Sequence, residues 1–217
     1  MEPDFHQHIG ALALISTTRI LLENVTRQDE LRMLEEHLPG AVEVIRSTAP
    51  DVVVFGCTSA GALGTLAHNE AIGESIRAGA GTGVITVLGA VLKKVRAIDP
   101  RRIAVFTPYT EDLTNSIASS LNEAGYPPVK AVGMGIRMNL DIGKVGPGEI
   151  VRFVESEIDG LSFDCVFLSC TNWRPVEALP FLQKRLGVPV ISSNQAAMDE
   201  VRRVAAVSRS ARDVSDS

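Results

Sequence analysis

Three cysteines occur in 217 residues, and two of them stand in nearly the same words of sequence, Gly56-Cys57-Thr58-Ser59 and Ser169-Cys170-Thr171-Asn172. A thiolate is a strong nucleophile, and a thiol that titrates also carries a proton to and from carbon. Each of the two follows an apolar run that ends in a small residue. In parallel sheets, ligands bind beyond the carboxyl ends of the strands, where the next backbone amides and helix dipole can steady a thiolate or hold a substrate carboxylate. Thr58, Ser59, Thr171 and Asn172 add short hydrogen-bonding side chains around the thiols, a setting suited to an anionic ligand. Cys165 lies inside its apolar run and reads as core. The spacing of the three fits neither a disulfide framework nor a common zinc pattern, so free thiols are expected in a reducing compartment.

The repeat extends beyond the cysteines. Asp51-Val52-Val53-Val54-Phe55-Gly56-Cys57-Thr58-Ser59 reads onto Asp164-Cys165-Val166-Phe167-Leu168-Ser169-Cys170-Thr171-Asn172 at an offset of 170 − 57 = 113 residues. A helix-containing stretch follows each copy, then a second β-rich segment, Gly83-Val84-Ile85-Thr86-Val87 or Gly187-Val188-Pro189-Val190-Ile191. Two lobes of the same local architecture are expected.

The elements that must position these thiols alternate between short β-branched runs and longer helical stretches, which predicts an α/β fold of mainly parallel sheets flanked by helices. Strands are expected at 51–55, 84–87, 103–107, 129–132, 165–168 and 188–191, with 11–17 a further candidate. Continuous apolar runs of this kind suit strands covered on both faces. Helices are expected at 28–47, 88–97, 111–124, 147–159, 175–186 and 195–207, with Pro147 and Pro175 suited to a first turn. The expected lobes are 1–90 with 193–207, and 91–192, with the active site between them and a polar, disordered tail at 208–217.

With 21 Lys and Arg against 26 Asp and Glu, the chain carries a formal charge of −5, which argues against a nucleic-acid partner. No apolar run approaches the roughly 18 residues of a membrane span, and the start Met1-Glu2-Pro3-Asp4 lacks the basic region of a secretory signal. A cytoplasmic protein acting on a small molecule is expected, with a homodimer the commonest oligomer.

The two cysteine motifs, together with Thr107-Pro108-Tyr109, Asn139-Leu140-Asp141-Ile142-Gly143 and Pro189-Val190-Ile191-Ser192-Ser193-Asn194-Gln195, resemble the aspartate/glutamate racemase superfamily, within it the maleate cis-trans isomerase and arylmalonate decarboxylase branch. The motifs occur in the family's order and span nearly the whole chain. The resemblance implies two pseudo-symmetric lobes, one cysteine from each, and no metal or organic cofactor. It also implies that Cys57 is the nucleophile that adds to a double bond, and that Cys170 is the acid/base on the opposite side. Tyr109 and Asn139 match positions that line the substrate in this branch. Arg174 either adds charge near a carboxylate or faces solvent, and His68 is expected on a surface loop.

Members of the branch usually begin with a short strand and a loop carrying a substrate-binding asparagine, ahead of a segment similar to Met1-Glu2-Pro3. Here that strand is absent, and a helical turn through Phe5 and His8 is expected instead. Either Met1 is an internal methionine of a longer reading frame, or the protein is a shortened form with an altered site. In both cases the first lobe is expected to lack a central strand and one wall of the pocket, and to be poorly stable or inactive until upstream residues are restored.

The leading expectation is a cofactor-independent isomerase of a small unsaturated dicarboxylic acid, of the maleate-to-fumarate type. The alternatives are a two-cysteine racemase of aspartate, glutamate or a related compound, and a non-catalytic protein that binds small acids. A racemase has to hold an α-ammonium group, and neither motif has an adjacent carboxylate that clearly does so. Arylmalonate decarboxylases characteristically keep only the second cysteine, so Cys57 weighs against that activity.

Overall fold

Continuous apolar runs become parallel strands in two sheets. The computed structural model describes residues 1–215 of the chain and side chains as far as Val207, so residues 216–217 of the expected tail lie outside the described residues. The first sheet pairs β1 (Val52–Phe55) with β2 (Gly83–Thr86), in register Val52 with Gly83 through Phe55 with Thr86. The second has the order β4 (Lys130–Gly133), β3 (Ile103–Thr107), β5 (Cys165–Leu168), β6 (Val190–Ser192), all parallel. The two central strands of that sheet, β3 and β5, are buried at every residue, as expected of strands that helices cover on both faces. β1 and β2 are only partly buried, and β1 has no strand on its second edge among the described residues.

Eleven α-helices connect and cover the strands among the described residues. α1 (Glu2–Ile9) is the expected helical turn at the start, and it docks against α11 (Ser193–Ser215). α5 (Leu66–Ala80) packs on β2, α6 (Val87–Ile98) on α11, α7 (Glu111–Glu123) on β4, and α9 (Pro147–Glu157) on α10 (Pro175–Leu186). Pro147 and Pro175 occupy first-turn positions, where the missing N–H costs no hydrogen bond. α11 runs on to Ser215, into the stretch expected as a tail. Among the described residues, no helix is long and apolar enough to cross a membrane.

The structure corrects three expectations. Residues 11–17 form no strand: they run irregularly without a ladder, and Leu14 is 98% exposed. The segment begins as a turn in which the Leu12 and Ala13 N–H groups donate to Ile9 O at 2.7 and 3.1 Å, and the alternating burial of a strand never develops. The single helix expected at 28–47 is instead α2 (Arg27–Arg32), a π-helical turn at Met33–His37, and α3 (Leu38–Arg46). Pro39 has no N–H for an i−4 carbonyl, and the widened turn, in which Leu38 N–H reaches Met33 O, absorbs that break. His68 lies on α5 rather than on a loop, with Nε2 3.2 Å from Ala60 O.

The repeat seen in the sequence is a structural repeat. β1, Cys57, helix, β2 and β5, Cys170, helix, β6 are both parallel β-α-β units of adjacent strands. Their second strands end alike: Thr86 Oγ1 accepts from Gly89 N–H at 3.2 Å, and Ser192 Oγ accepts from Gln195 N–H at 3.2 Å. Each hydroxyl ties down the first turn of the following helix.

Candidate active site

Cys57 follows β1 by two residues as the N-cap of α4 (Thr58–Gly61), and Cys170 likewise follows β5 by two residues. Both line one cavity of about 800 Å³, together with Ser59, Tyr109, Asn139, Thr171 and Asn172. The cavity runs from the thiols along β1 toward residues 12–20, so it is wider than a small acid requires. Thr58 is the expected site residue that lies elsewhere. It is fully buried, and its hydroxyl donates to Ser193 Oγ at 2.9 Å, which joins α4 to the start of α11.

The surroundings of the two thiols differ. Cys170 Sγ accepts from Asn172 N–H at 3.3 Å, and the Tyr109 hydroxyl and the Trp173 backbone N–H are further donors on its side of the cavity. Burial raises the thiol pKa of Cys170, while these three donors pull it back down. Tyr109 is itself 2% exposed, and burial followed by the neighbouring thiols drives its phenol well up, so it stays protonated and able to donate.

Cys57 faces an acceptor instead. Its Sγ lies 3.9 Å from Glu30 Oε1 and 3.7 Å from Ser59 Oγ, and the Ser59 hydroxyl donates to that same carboxyl oxygen. Burial first, then the charge of Glu30, pushes the Cys57 thiol up. The thiolate-stabilising helix end expected here is a single turn, and Cys57 is held as a thiol. Glu30 is fully buried on α2, and desolvation raises its carboxyl to about 7 against the pull of Ser59 and Arg27. Sequence reasoning missed it. Thr26-Arg27-Gln28-Asp29-Glu30 reads as a solvated helix start, although Glu30 stands one helical turn before Leu34, on the apolar stripe.

The remaining site residues tie loops together. Asn172 Nδ2 donates to Asn139 O at 2.7 Å and to Asn139 Oδ1 at 2.8 Å, and Asn139 Nδ2 donates to Leu22 O at 3.0 Å. Asn139 opens α8 (Asn139–Lys144). Thr171 Oγ1 donates to Gly56 O at 2.8 Å, and Thr171 O accepts from the Met1 ammonium at 2.7 Å. The two cysteine loops are therefore joined directly. Arg174 is on the solvent side, in a two-bond pair with Glu177 at 2.8 and 2.9 Å. Cys165 is core, its thiol pushed up to about 12 by burial. Among the described residues, no cluster of His, Cys, Asp and Glu is arranged to hold a metal ion.

Two parallel-sheet lobes flanked by helices, with a thiol at the same strand end of each repeat, define an α/β protein of the two-lobed racemase-like class. The family model described as arylmalonate decarboxylase matches residues 14–215, and the chain belongs to that family. It is 27% identical to the maleate isomerase of Geobacillus stearothermophilus over 183 residues, which span 82% of this chain and 72% of the relative. It is 32% identical to the arylmalonate decarboxylase of Bordetella bronchiseptica over 143 residues, 64% of this chain and 58% of the relative. A liganded double mutant of arylmalonate decarboxylase superimposes with a TM-score of 0.87 at 26% identity, covering 94% of this chain and 87% of that one. A Nocardia farcinica maleate cis-trans isomerase mutant, solved with a covalently bound succinylcysteine intermediate, shares the fold at a TM-score of 0.79 and 19% identity, over 87% of this chain and 78% of that one.

Proposed function

We propose that this protein is a cofactor-independent cis-trans isomerase of a small unsaturated dicarboxylate, with Cys57 as nucleophile and Cys170 as acid/base. The observation that carries the reading is the unlike pair of thiols in one cavity, an acceptor beside Cys57 and three donors around Cys170. A nucleophile has to lose its proton as it attacks, whereas an acid/base has to hold negative charge between two transfers.

The Cys57 thiol gives its proton to the acceptor beside it as its sulfur adds to one alkene carbon, and the π pair moves to the other carbon, which takes the proton of Cys170. The Cys170 thiolate is then steadied by Tyr109 and by the N–H groups of Asn172 and Trp173. The former double bond is now single and rotates. Cys170 removes the proton it gave, the electron pair rebuilds the double bond in the trans form, and the Cys57 sulfur departs. Relatives named as maleate isomerases, and the succinylcysteine intermediate of the Nocardia enzyme, support this sequence of steps.

The racemase reading needs a carboxylate that meets an ammonium group in the cavity. Glu30 is close to Cys57 but is not among the residues that line the cavity, and of the carboxylates that do line it, Glu2 is paired with Arg19 and Asp51 precedes β1, at the opposite end of the strand from Cys57, which favours the isomerase. Proton NMR of maleate in deuterated water tests the proposal, with aspartate, glutamate, a hydantoin and an arylmalonate in parallel. Fumarate appearing from maleate is the expected result. Deuterium entering an amino acid, or decarboxylation of the arylmalonate, without any fumarate would sink it.

A further inference from the structure

A fully buried carboxyl group beside a nucleophile is expensive to keep unless it is used. Glu30 Oε1 receives the Ser59 hydroxyl and lies 3.9 Å from Cys57 Sγ, while Glu30 Oε2 is buried with no hydrogen-bond partner among the described residues. The residue is 0% exposed and stands behind the thiol, away from the cavity surface.

We propose that Glu30 is the proton acceptor for Cys57, taking the thiol proton as sulfur attacks the substrate and returning it when sulfur leaves. The assignment deepens the reading of Cys57 as nucleophile and rests on it. In the forward step the S–H bond breaks, its proton moves to the Glu30 carboxylate, and the sulfur pair forms the S–C bond. In the reverse step the S–C bond breaks, its electrons return to sulfur, and the Glu30 carboxyl restores the S–H bond. The negative charge passes from Glu30 to the carbon skeleton, and from there to Cys170 as its proton is given up. No further reactant is required.

Each partner of Glu30 has a place in this account. Ser59 orients Oε1 toward the sulfur without neutralising the carboxylate. Arg27, on the same helix, adds attraction for the ionised form but spends its Nη2 on Leu63 O at 2.6 Å. Cys57, at the start of α4, and Tyr109, after β3, are the other titratable groups that feel its charge, and α4 itself contributes no charged residue. With Oε2 bare, the carboxyl sits near the protonation balance at neutral pH, where a base that must both take and release a proton works best.

The test is the pH dependence of iodoacetamide labelling at Cys57, read peptide by peptide, in the wild type, Glu30→Gln and Glu30→Asp. The wild type is expected to show an inflection near pH 7, from carboxylate-assisted attack below the thiol's own pKa. Glu30→Gln should lose the inflection and label at least about tenfold more slowly at neutral pH, with kcat for maleate reduced about 100-fold. Glu30→Asp should keep an inflection. A wild-type rate that climbs smoothly into the alkaline range, or identical profiles in wild type and Glu30→Gln, overturns the assignment. The wild-type curve alone decides if Glu30→Gln does not fold. If no fumarate forms but the inflection is present and lost in Glu30→Gln, the substrate reading fails and the role of Glu30 stands.

Discussion

Asn172 reaches from the second cysteine loop to Asn139, donating to its backbone carbonyl at 2.7 Å and to its side-chain oxygen at 2.8 Å. The same residue's N–H donates to the Cys170 sulfur, so the position of that thiol is coupled to α8. Asn139→Ala removes one of the two bonds and the anchor on Leu22. KM for maleate should rise about fivefold to tenfold, the worth of roughly one hydrogen bond, with a smaller change in kcat. Steady-state kinetics on both diacids checks the split.

Tyr109→Phe deletes a donor to Cys170 and little else, because the ring stays packed in the core. A hydrogen bond to a charged sulfur is worth about 1.5–3 kcal/mol, so kcat should fall between about tenfold and 100-fold. The Cys170 thiol pKa should rise, seen as slower alkylation of that peptide at a fixed alkaline pH. Unchanged labelling would mean that the phenol has no part in holding the thiolate.

Cys57→Ser should abolish turnover, since an alcohol beside a carboxylate is a far poorer nucleophile than a thiol. Cys170→Ser leaves the attacking sulfur in place but weakens the partner that must remove the proton again. Incubated with maleate, it is expected to gain the mass of one diacid at Cys57, by intact-protein mass spectrometry. An adduct on neither variant would count against covalent catalysis.

Glu30 also sets a pH dependence of stability. Its carboxyl is raised in the folded chain from 4.5 to about 7, so folding binds a proton across that interval. The stability it contributes is complete below about pH 4.5 and is lost as pH rises through about 7. At 1.36 kcal/mol per pH unit the loss is about 3 kcal/mol. Glu30→Gln should therefore be the more stable protein at pH 8 and match the wild type near pH 4, by urea denaturation at each pH. The opposite pattern would mean that Glu30 is ionised at little cost.

Much of the fold was legible because β3 and β5 are buried on both faces and spell out uninterrupted apolar runs, Ile103-Ala104-Val105-Phe106 and Cys165-Val166-Phe167-Leu168. The paired cysteines were legible because a duplicated β-α-β unit repeats its turn as well as its core. Residues 11–17 misled because Leu12, Leu14 and Ile15 have the composition of a strand, yet the segment joins neither sheet. Thr58 reads as a site residue by adjacency, yet a helical first turn directs successive side chains about 100° apart, and its hydroxyl goes to Ser193. Glu30 was hidden for a different reason. Its environment is made by Cys57 and Ser59, nearly 30 residues away in sequence, and charge in a short polar stretch reads as surface until that contact is known.

The π-helical turn at Met33–His37 fixes the azimuth of that carboxyl. On an unbroken α-helix, Glu30 and Leu38 would point about 80° apart, and Glu30 and Val42 about 120° apart, at 100° per residue. The widened turn absorbs one residue's worth of rotation and reduces both separations to about 20°. It acts as a phase shifter, letting the face of α3 that buries Leu38 and Val42 continue into α2 as the face that turns Glu30 inward. Straightening that turn into α-helix with no residue removed would swing the base about 100° away from the thiol, whereas deleting one residue within 33–37 would leave a regular helix that still points it inward.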